Sequence, residues 1–355
     1  MSEGSDSPVS TEQNNIYWFL RDLGAAQYGG FAVKEPDTVL TLGRRLKTQL
    51  NEGVEIDVLR ETIKDEILGA VNEYYNGRRT KRYAQTEALV KQILVRINDR
   101  EDVRDFQRAC EPVVKTTDVL SSAPDFDEDS VVGVVEATLI NENETAYQPE
   151  KCYHALEAVD DAGTRLQAGG QNMALVPYVT KLLEETEDIS DRDRSRLVSA
   201  VVQEYERRAG NKRKSDAGGV LETALNAVFD VFDVPVTGTP RHFGDFEIDN
   251  LLKTDQATVG FSCKRTLRER FRQSLTRNAD LEIDEVWFIP LSTDDISREK
   301  IEDVQADGGR IYVPRESYPW KEFGEVDELD AVRPGDEFLA DLEDFTGVEV
   351  DRTVN

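Results

Sequence analysis

The chain has 355 residues, 71 acidic and 43 basic, for a formal charge of −28 with its two histidines neutral. Only 14 of the bases are lysine, so arginine carries most of the positive charge. An apolar content of 39% excludes a disordered acidic chain; the composition points to a folded, halophilic protein of a salt-accumulating cytoplasm, where concentrated ions screen self-repulsion. Cys110, Cys152 and Cys263 are odd in number and none lies in a CxxC, which excludes a disulfide framework or structural zinc and leaves free thiols. No apolar run approaches the ~20 residues of a membrane span, and the opening MSEGSDSPVSTEQ lacks the basic and apolar regions of a signal peptide. A cytoplasmic location without membrane contact is expected.

Residues 1–12 are polar and are expected to be disordered. From Asn14, IYWFLRDLGAAQY, TVLTLGRRLKTQL, VLRETIKDEILGAVNEYY, AQTEALVKQILVRI and VRDFQRACEPVV each place apolar residues three or four apart, which predicts a helical N-terminal domain over 13–205. Within it, Tyr74, Tyr75, Arg78, Arg79, Lys81, Arg82 and Tyr83 form a basic, aromatic cluster that reads as a solvated turn or as a nucleic-acid contact. Residues 121–150 interrupt the spacing, and VVGVVEATLI predicts a short strand. Helical spacing resumes in NMALVPYVTKLLEETE, where Pro177 predicts a kink or a split, and in DRSRLVSAVVQEYERR.

The charge then changes. Residues 201–280 sum to +1, so the rest of the chain carries −29; RRAGNKRKS alone contributes +5. A nearly neutral island in so acidic a chain marks a surface for a polyanion, or an internally salt-bridged one. Asp216 is placed to cap a helix AGGVLETALNAVFDVF whose Leu221, Leu225, Val228, Phe229 and Phe232 form one apolar stripe, with Glu222 beside it. FEIDNLL and QATVGFSCK follow as two strands joined at Lys253, Thr254 and Asp255, a hairpin signal. Alternation puts Val259, Phe261 and Cys263 on one face, and Thr258, Gly260, Ser262 and Lys264 on the other. Asp249 and Lys264 can therefore meet at the strand ends, with Glu222 offered by the preceding helix.

Carboxylates that hold Mg²⁺ through oxygen, beside a lysine able to orient a water, are what metal-assisted phosphodiester cleavage requires. A helix is expected to start at once after Lys264, with Arg268, Glu269 and Arg270 in its first turns. Arginine is the best bidentate donor to guanine O6 and N7, and glutamate accepts from cytosine N4, so the triplet suits G·C pairs.

KRTLRERFRQ resembles the KTTxKDRWRQ and KTTxRERW segments of PD-(D/E)XK type II restriction endonucleases of the EcoRII-like group, which cut CCGG- and CCNGG-type sites. Upstream, KRKSDAGGVLE resembles that group's RKSRAGxxLE helix start; downstream, DEVWFIPLSTDDISREKIEDVQADGGRIYVPRE resembles its strand, helix and strand. The likeness covers about residues 205–330. It implies an α/β nuclease domain over 206–355, with a central mixed sheet flanked by helices, following the mostly α-helical N-terminal domain. It also implies that Asp249 and Glu222 hold the metal, with Cys263 placed among the metal-holding residues, that Lys264 is the catalytic lysine, and that Arg268, Glu269 and Arg270 read bases. Arg265, Arg272, Lys212, Arg213 and Lys214 are expected to touch DNA around them. Three positions depart from the family pattern: Ile248 replaces the proline before the aspartate, Ser262 stands at the acid position two before the lysine, where this group commonly has a small residue, and Arg277 stands where the group's second acid is expected after the lysine, the next acid being Asp280. Either Glu222 suffices, Asp280 supplies the second acid, or the site is impaired.

The expected function is Mg²⁺-dependent double-strand cleavage of DNA at a short palindromic G·C-containing site by a homodimer or higher oligomer, since a palindrome mirrors two-fold protein symmetry. The resemblance also implies a cognate DNA methyltransferase. The alternative is a DNA-binding regulator that keeps the fold and has lost catalysis, motivated by Ser262 and Arg277.

Overall fold

Apolar residues three and four apart fold the first part of the chain as helices, as expected. A computed structural model describes residues 14–140, 146–237, 241–243, 246–267, 283–326 and 328–354. Two units of mutually packed chain result: Met1–Ala123 with Gly169–Asn211, and Pro124–Ala168 with Lys212–Asn355.

The first unit contains α1 (Asn15–Gly24), α2 (Phe31–Lys34), α3 (Pro36–Asn51), α4 (Ile56–Gly69), α5 (Lys81–Arg96) and α6 (Arg100–Ser122). Its core is assembled from their apolar stripes, among them Phe19 and Leu23 of α1, Leu42 and Leu46 of α3, Ile63 and Ile67 of α4, and Phe106 and Val113 of α6. Asp99 caps α6 in a reciprocal capping box with Asp102. Between α4 and α5 the cluster read as a turn is a β-hairpin, β1 (Tyr74–Tyr75) with β2 (Arg78–Arg79). Asn76 and Gly77 hold φ of +49° and +73°, as a tight two-residue hairpin turn requires.

Two long helices, α8 (Cys152–Glu185) and α9 (Asp191–Val231), each supply residues to both units, and α7 (Glu128–Leu139) precedes them. Three expectations are corrected here. VVGVVEATLI is not a strand: Asp127 caps α7 through the Ser130 N–H, and Val131, Val135 and Leu139, four apart, form a helical stripe in the core of the second unit. Pro177 does not split the chain into two helices; it lies exposed inside the continuous α8. Asp216 caps nothing, because α9 runs through it without a break; its carboxylate instead pairs with Lys212 one turn earlier at 3.0 Å. The division of the chain also differs from one at 205/206, since residues 124–168 pack with the sheet of the second unit.

That sheet has five strands in the order β5 (Asn250–Lys253), β6 (Thr258–Thr266), β7 (Glu285–Ser292), β8 (Arg310–Val313) and β9 (Val332–Pro334). β5 and β6 form the expected antiparallel hairpin, and β6 through β9 are parallel. A separate ribbon pairs β3 (Arg241–Phe243) with β4 (Phe246–Ile248). Parallel strands need crossovers, and α10 (Arg298–Ala306) and α11 (Tyr318–Phe323) lie in those leading to β8 and β9.

Both faces of the sheet are covered, so β7 reads as a continuous apolar run. On one face Val259, Phe261, Cys263, Trp287, Ile289 and Tyr312 pack against the stripe of α9, against α7, and against Phe338 and Leu342 of α12 (Phe338–Thr346). On the other face Val286, Phe288, Ile311 and Val313 meet Ile301 and Val304 of α10, together with Ile248. The expected alternation along β6 is therefore realised, and Lys264 lies at its end, opposite in sense to Cys263.

Candidate active site

The site is built where β4 gives way to β5. β5 pairs with β6 from Asn250 opposite Phe261 to Lys253 opposite Thr258. One residue earlier, the Asp249 N–H donates to the Phe261 carbonyl at 2.9 Å, and the Cys263 N–H donates to Asp249 Oδ2 at 2.7 Å. The carboxylate thus takes the place of a backbone acceptor and extends the ladder by one rung. Gly260 leaves room for this approach: a Cβ there would lie 2.9 Å from Ile248 Cδ1 and 3.3 Å from its Cγ2, so a side chain at 260 forces Ile248, the neighbour of Asp249, to shift.

The Asp249 side chain is 0% exposed, and a buried carboxylate needs partners. It has the Cys263 N–H on one oxygen and Lys264 Nζ at 2.6 Å from the other. Lys264 is 36% exposed, and Glu222 Oε1 reaches to 4.0 Å from the same ammonium, its side chain 25% exposed. Glu222 comes from α9, whose stripe residues Leu221 and Leu225 are buried against the sheet, so packing of the helix aims the glutamate. Two oxygen acids and a lysine meet at the strand end, two of them partly open to solvent.

Of the other residues singled out in the sequence, Cys263 reaches this site only through its backbone. Its thiol lies fully buried on the opposite face, and burial, with Asp249 nearby, pushes it far above its ordinary range. A soft, protonated thiol facing the core is no ligand for a hard cation. Arg265 is engaged internally, its Nε donating to Asp160 Oδ1 at 2.6 Å and its Nη2 to Thr164 Oγ1 at 2.9 Å. Asp160 and Thr164 lie on α8, a hundred residues upstream, and no local pattern announces the pairing. Lys212 is drawn between Asp125 at 2.5 Å and Asp216 at 3.0 Å, whereas Lys214 is exposed. Arg213 is half-buried on the same helix. Arg268, Glu269, Arg270, Arg272, Arg277 and Asp280 lie outside the described residues.

Among the described residues, no group of three or more His, Cys, Asp and Glu side chains could hold a metal. Two carboxylates are nonetheless a fit for Mg²⁺, which keeps several waters and is commonly held by one or two carboxylates plus substrate phosphate oxygens. The donor chemistry agrees: Asp249 and Glu222 offer only hard oxygen.

A central mixed sheet flanked by helices, with a helical N-terminal part, is the restriction-endonuclease-like fold. Two solved structures share it. One is metal-depleted Ecl18kI in complex with uncleaved, modified DNA, with a TM-score of 0.51 and 15% identity over 66% of this chain and 84% of that one. The other is metal-depleted Ecl18kI in complex with uncleaved DNA, with a TM-score of 0.50 and 16% identity over 66% and 85%. Ecl18kI is a type II restriction endonuclease of the PD-(D/E)XK fold. No family model matches the chain, and no curated protein matches it. Among the described residues, no helix is long and apolar enough to cross a membrane.

Proposed function

We propose that the chain is a Mg²⁺-dependent type II restriction endonuclease that breaks both strands of DNA at a short palindromic site containing G·C pairs. The observation that carries this reading is the convergence of Asp249, Lys264 and Glu222, within 2.6 Å and 4.0 Å of one ammonium, on a restriction-endonuclease-like fold. Mg²⁺ held by Asp249 and Glu222 would stabilise charge developing on the scissile phosphate and acidify a water. Asp249, with one oxygen fixed by the Cys263 N–H, presents the other in a set direction. Glu222 supplies the second acid, which leaves the absence of an acid at Arg277 without consequence. Lys264, set between the two carboxylates, would on entry of the phosphate orient the attacking water and face the negative charge.

The assignment to the EcoRII-like group rests on the KRTLRERFRQ segment and the flanking KRKSDAGGVLE and DEVWFIPLSTDDISREKIEDVQADGGRIYVPRE stretches. In this reading Arg268, Glu269 and Arg270 contact G·C edges in the major groove, a homodimer matches the two-fold of the site, and a methyltransferase protects the host's own copies. Plasmid cleavage with and without Mg²⁺ in molar KCl tests it. Cuts at fixed positions only with Mg²⁺ are expected; binding without cleavage overturns the nuclease in favour of a regulator. Binding to a panel of single-base site variants tests the triplet: Arg268→Ala and Arg270→Ala should lose discrimination at G·C pairs, and Glu269→Ala should relax it at a cytosine.

A further inference from the structure

Residues 74–86 carry four cations and no acid, in a chain where one residue in five is acidic. They include the β1–β2 hairpin of the first unit, whose Tyr74 and Tyr75 are 60% and 73% exposed. Two large aromatic rings on a surface otherwise crowded with carboxylates lose hydrophobic free energy to water unless something covers them. The register sets Tyr74 opposite Arg79 and Tyr75 opposite Arg78, and alternation presents the two Tyr–Arg pairs on opposite faces of the ribbon, as a ribbon seated in a groove would use them.

The cations are not equivalent. Arg79 is held by Glu87 at 2.9 Å and lies over the Tyr83 ring at 5.2 Å, and Arg82 pairs with Glu35. Those two fasten the hairpin to its surroundings. Arg78 and Lys81 are exposed, and no acid among the described residues pairs with either. Cations with no acid partner among the described residues, beside uncovered aromatic rings on a turn fixed by Asn76 and Gly77, match a duplex backbone, with phosphates for the cations and the apolar faces of the sugars between them for the rings. An acidic protein surface offers charges without flat rings to cover the tyrosines.

We propose that this hairpin is a second DNA-contacting element, in which Arg78 and Lys81 neutralise backbone phosphates of a duplex and Tyr74 and Tyr75 cover its sugars and base edges without reading sequence. The proposal rests on the DNA-cleaving reading of the second unit and gives the helical unit a part in it: holding duplex irrespective of sequence. In molar salt, phosphate contacts weaken steeply, and aromatic contacts retain more of their strength.

The full-length protein in EDTA, with a fluorescent duplex of about 30 base pairs and a single strand of the same sequence, provides the test through binding constants over a KCl series. Arg78→Ala with Lys81→Ala should reduce the slope of log K against log salt by about 1.8, two phosphates at about 0.9 each. Tyr74→Ala with Tyr75→Ala should weaken duplex binding about tenfold at every salt concentration with the slope unchanged. Both effects should be the same on every sequence, and benzoylphenylalanine replacing Tyr75 in an otherwise unchanged chain should cross-link to duplex. Unchanged affinity and slope with no cross-link, or effects confined to the single strand, overturn the proposal. Wild-type protein that binds no duplex defeats the DNA reading itself; wild-type protein that binds, with both hairpin variants indistinguishable from it and no cross-link, defeats the hairpin alone.

Discussion

Replacement of Asp249 by asparagine separates the structural from the catalytic part of that residue. The amide oxygen keeps the Cys263 N–H bond, 2.7 Å in the native chain, so the extra rung of the ladder survives. The other position, now an NH₂, faces Lys264 Nζ, 2.6 Å from the native oxygen, and the ion pair is lost. Breaking a fully buried pair costs about 3–5 kcal/mol. Lys264 is 36% exposed and has Glu222 to turn toward, so the figure falls to about 1–2 kcal/mol. For a unit of this size that lowers the melting temperature by roughly 2–8 °C. Catalysis should suffer far more, because a ligand lost from an ion that contributes several kcal/mol of transition-state stabilisation slows cleavage on the order of a thousandfold. Plasmid cleavage in Mg²⁺ and thermal unfolding followed by circular dichroism measure the two effects on one preparation. An Asp249→Asn protein that cuts within tenfold of the wild-type rate refutes the placement of the site; one that fails to fold refutes the isosteric argument.

Glu222→Gln should leave stability nearly unchanged, since its side chain is a quarter exposed, while raising the Mg²⁺ concentration needed for half-maximal cleavage at least tenfold; a Mg²⁺ titration that coincides with the wild type moves the second acid to Asp280. Gly260→Ala should cost about 1–3 kcal/mol and displace Asp249, and Ile248→Ala in the same chain should restore activity by making room, which paired cleavage assays would show or deny. The pH dependence follows from the buried thiols of the second unit. Burial holds Cys152 and Cys263 above their unfolded value of 9.0, so above that pH the unfolded chain releases protons that the native chain keeps. Their contribution to stability is complete below pH 9 and falls above it by about 1.4 kcal/mol per pH unit for each thiol. Guanidinium unfolding between pH 8 and pH 10 should show this decline, and Cys263→Ala should flatten it.

How the chain reveals itself differs from segment to segment. The Asp249–Lys264 meeting could be read because it depends on local rules only: strict alternation in TVGFSCK, a short connection, and antiparallel pairing that brings both to one end. The α9 stripe is equally plain, and its packing brings Glu222 to 4.0 Å from the Lys264 ammonium. VVGVVEATLI misled because branched residues favour strands in isolation, whereas the packing of Val131, Val135 and Leu139 decided for helix. The path of the chain between the two units left no mark in the sequence, because α8 and α9 continue through Gly169–Gly170 and Gly218–Gly219, where breaks would be expected. Arg265 looked like a DNA contact because its partners, Asp160 and Thr164, are remote in sequence and adjacent only in the fold.

The rung that Asp249 adds to the β5–β6 ladder has a bearing on quality control. Strand pairing has a period of two, so a slip of one residue would turn the carboxylate to the opposite face and strand it away from Lys264. The bond that completes the sheet edge is thus the bond that assembles the acid and the lysine. A chain caught in the wrong register does not bring the acid and the lysine together, so an error of folding there leaves the candidate site unassembled. For a chain that cuts DNA as proposed above, that is the safer way to fail.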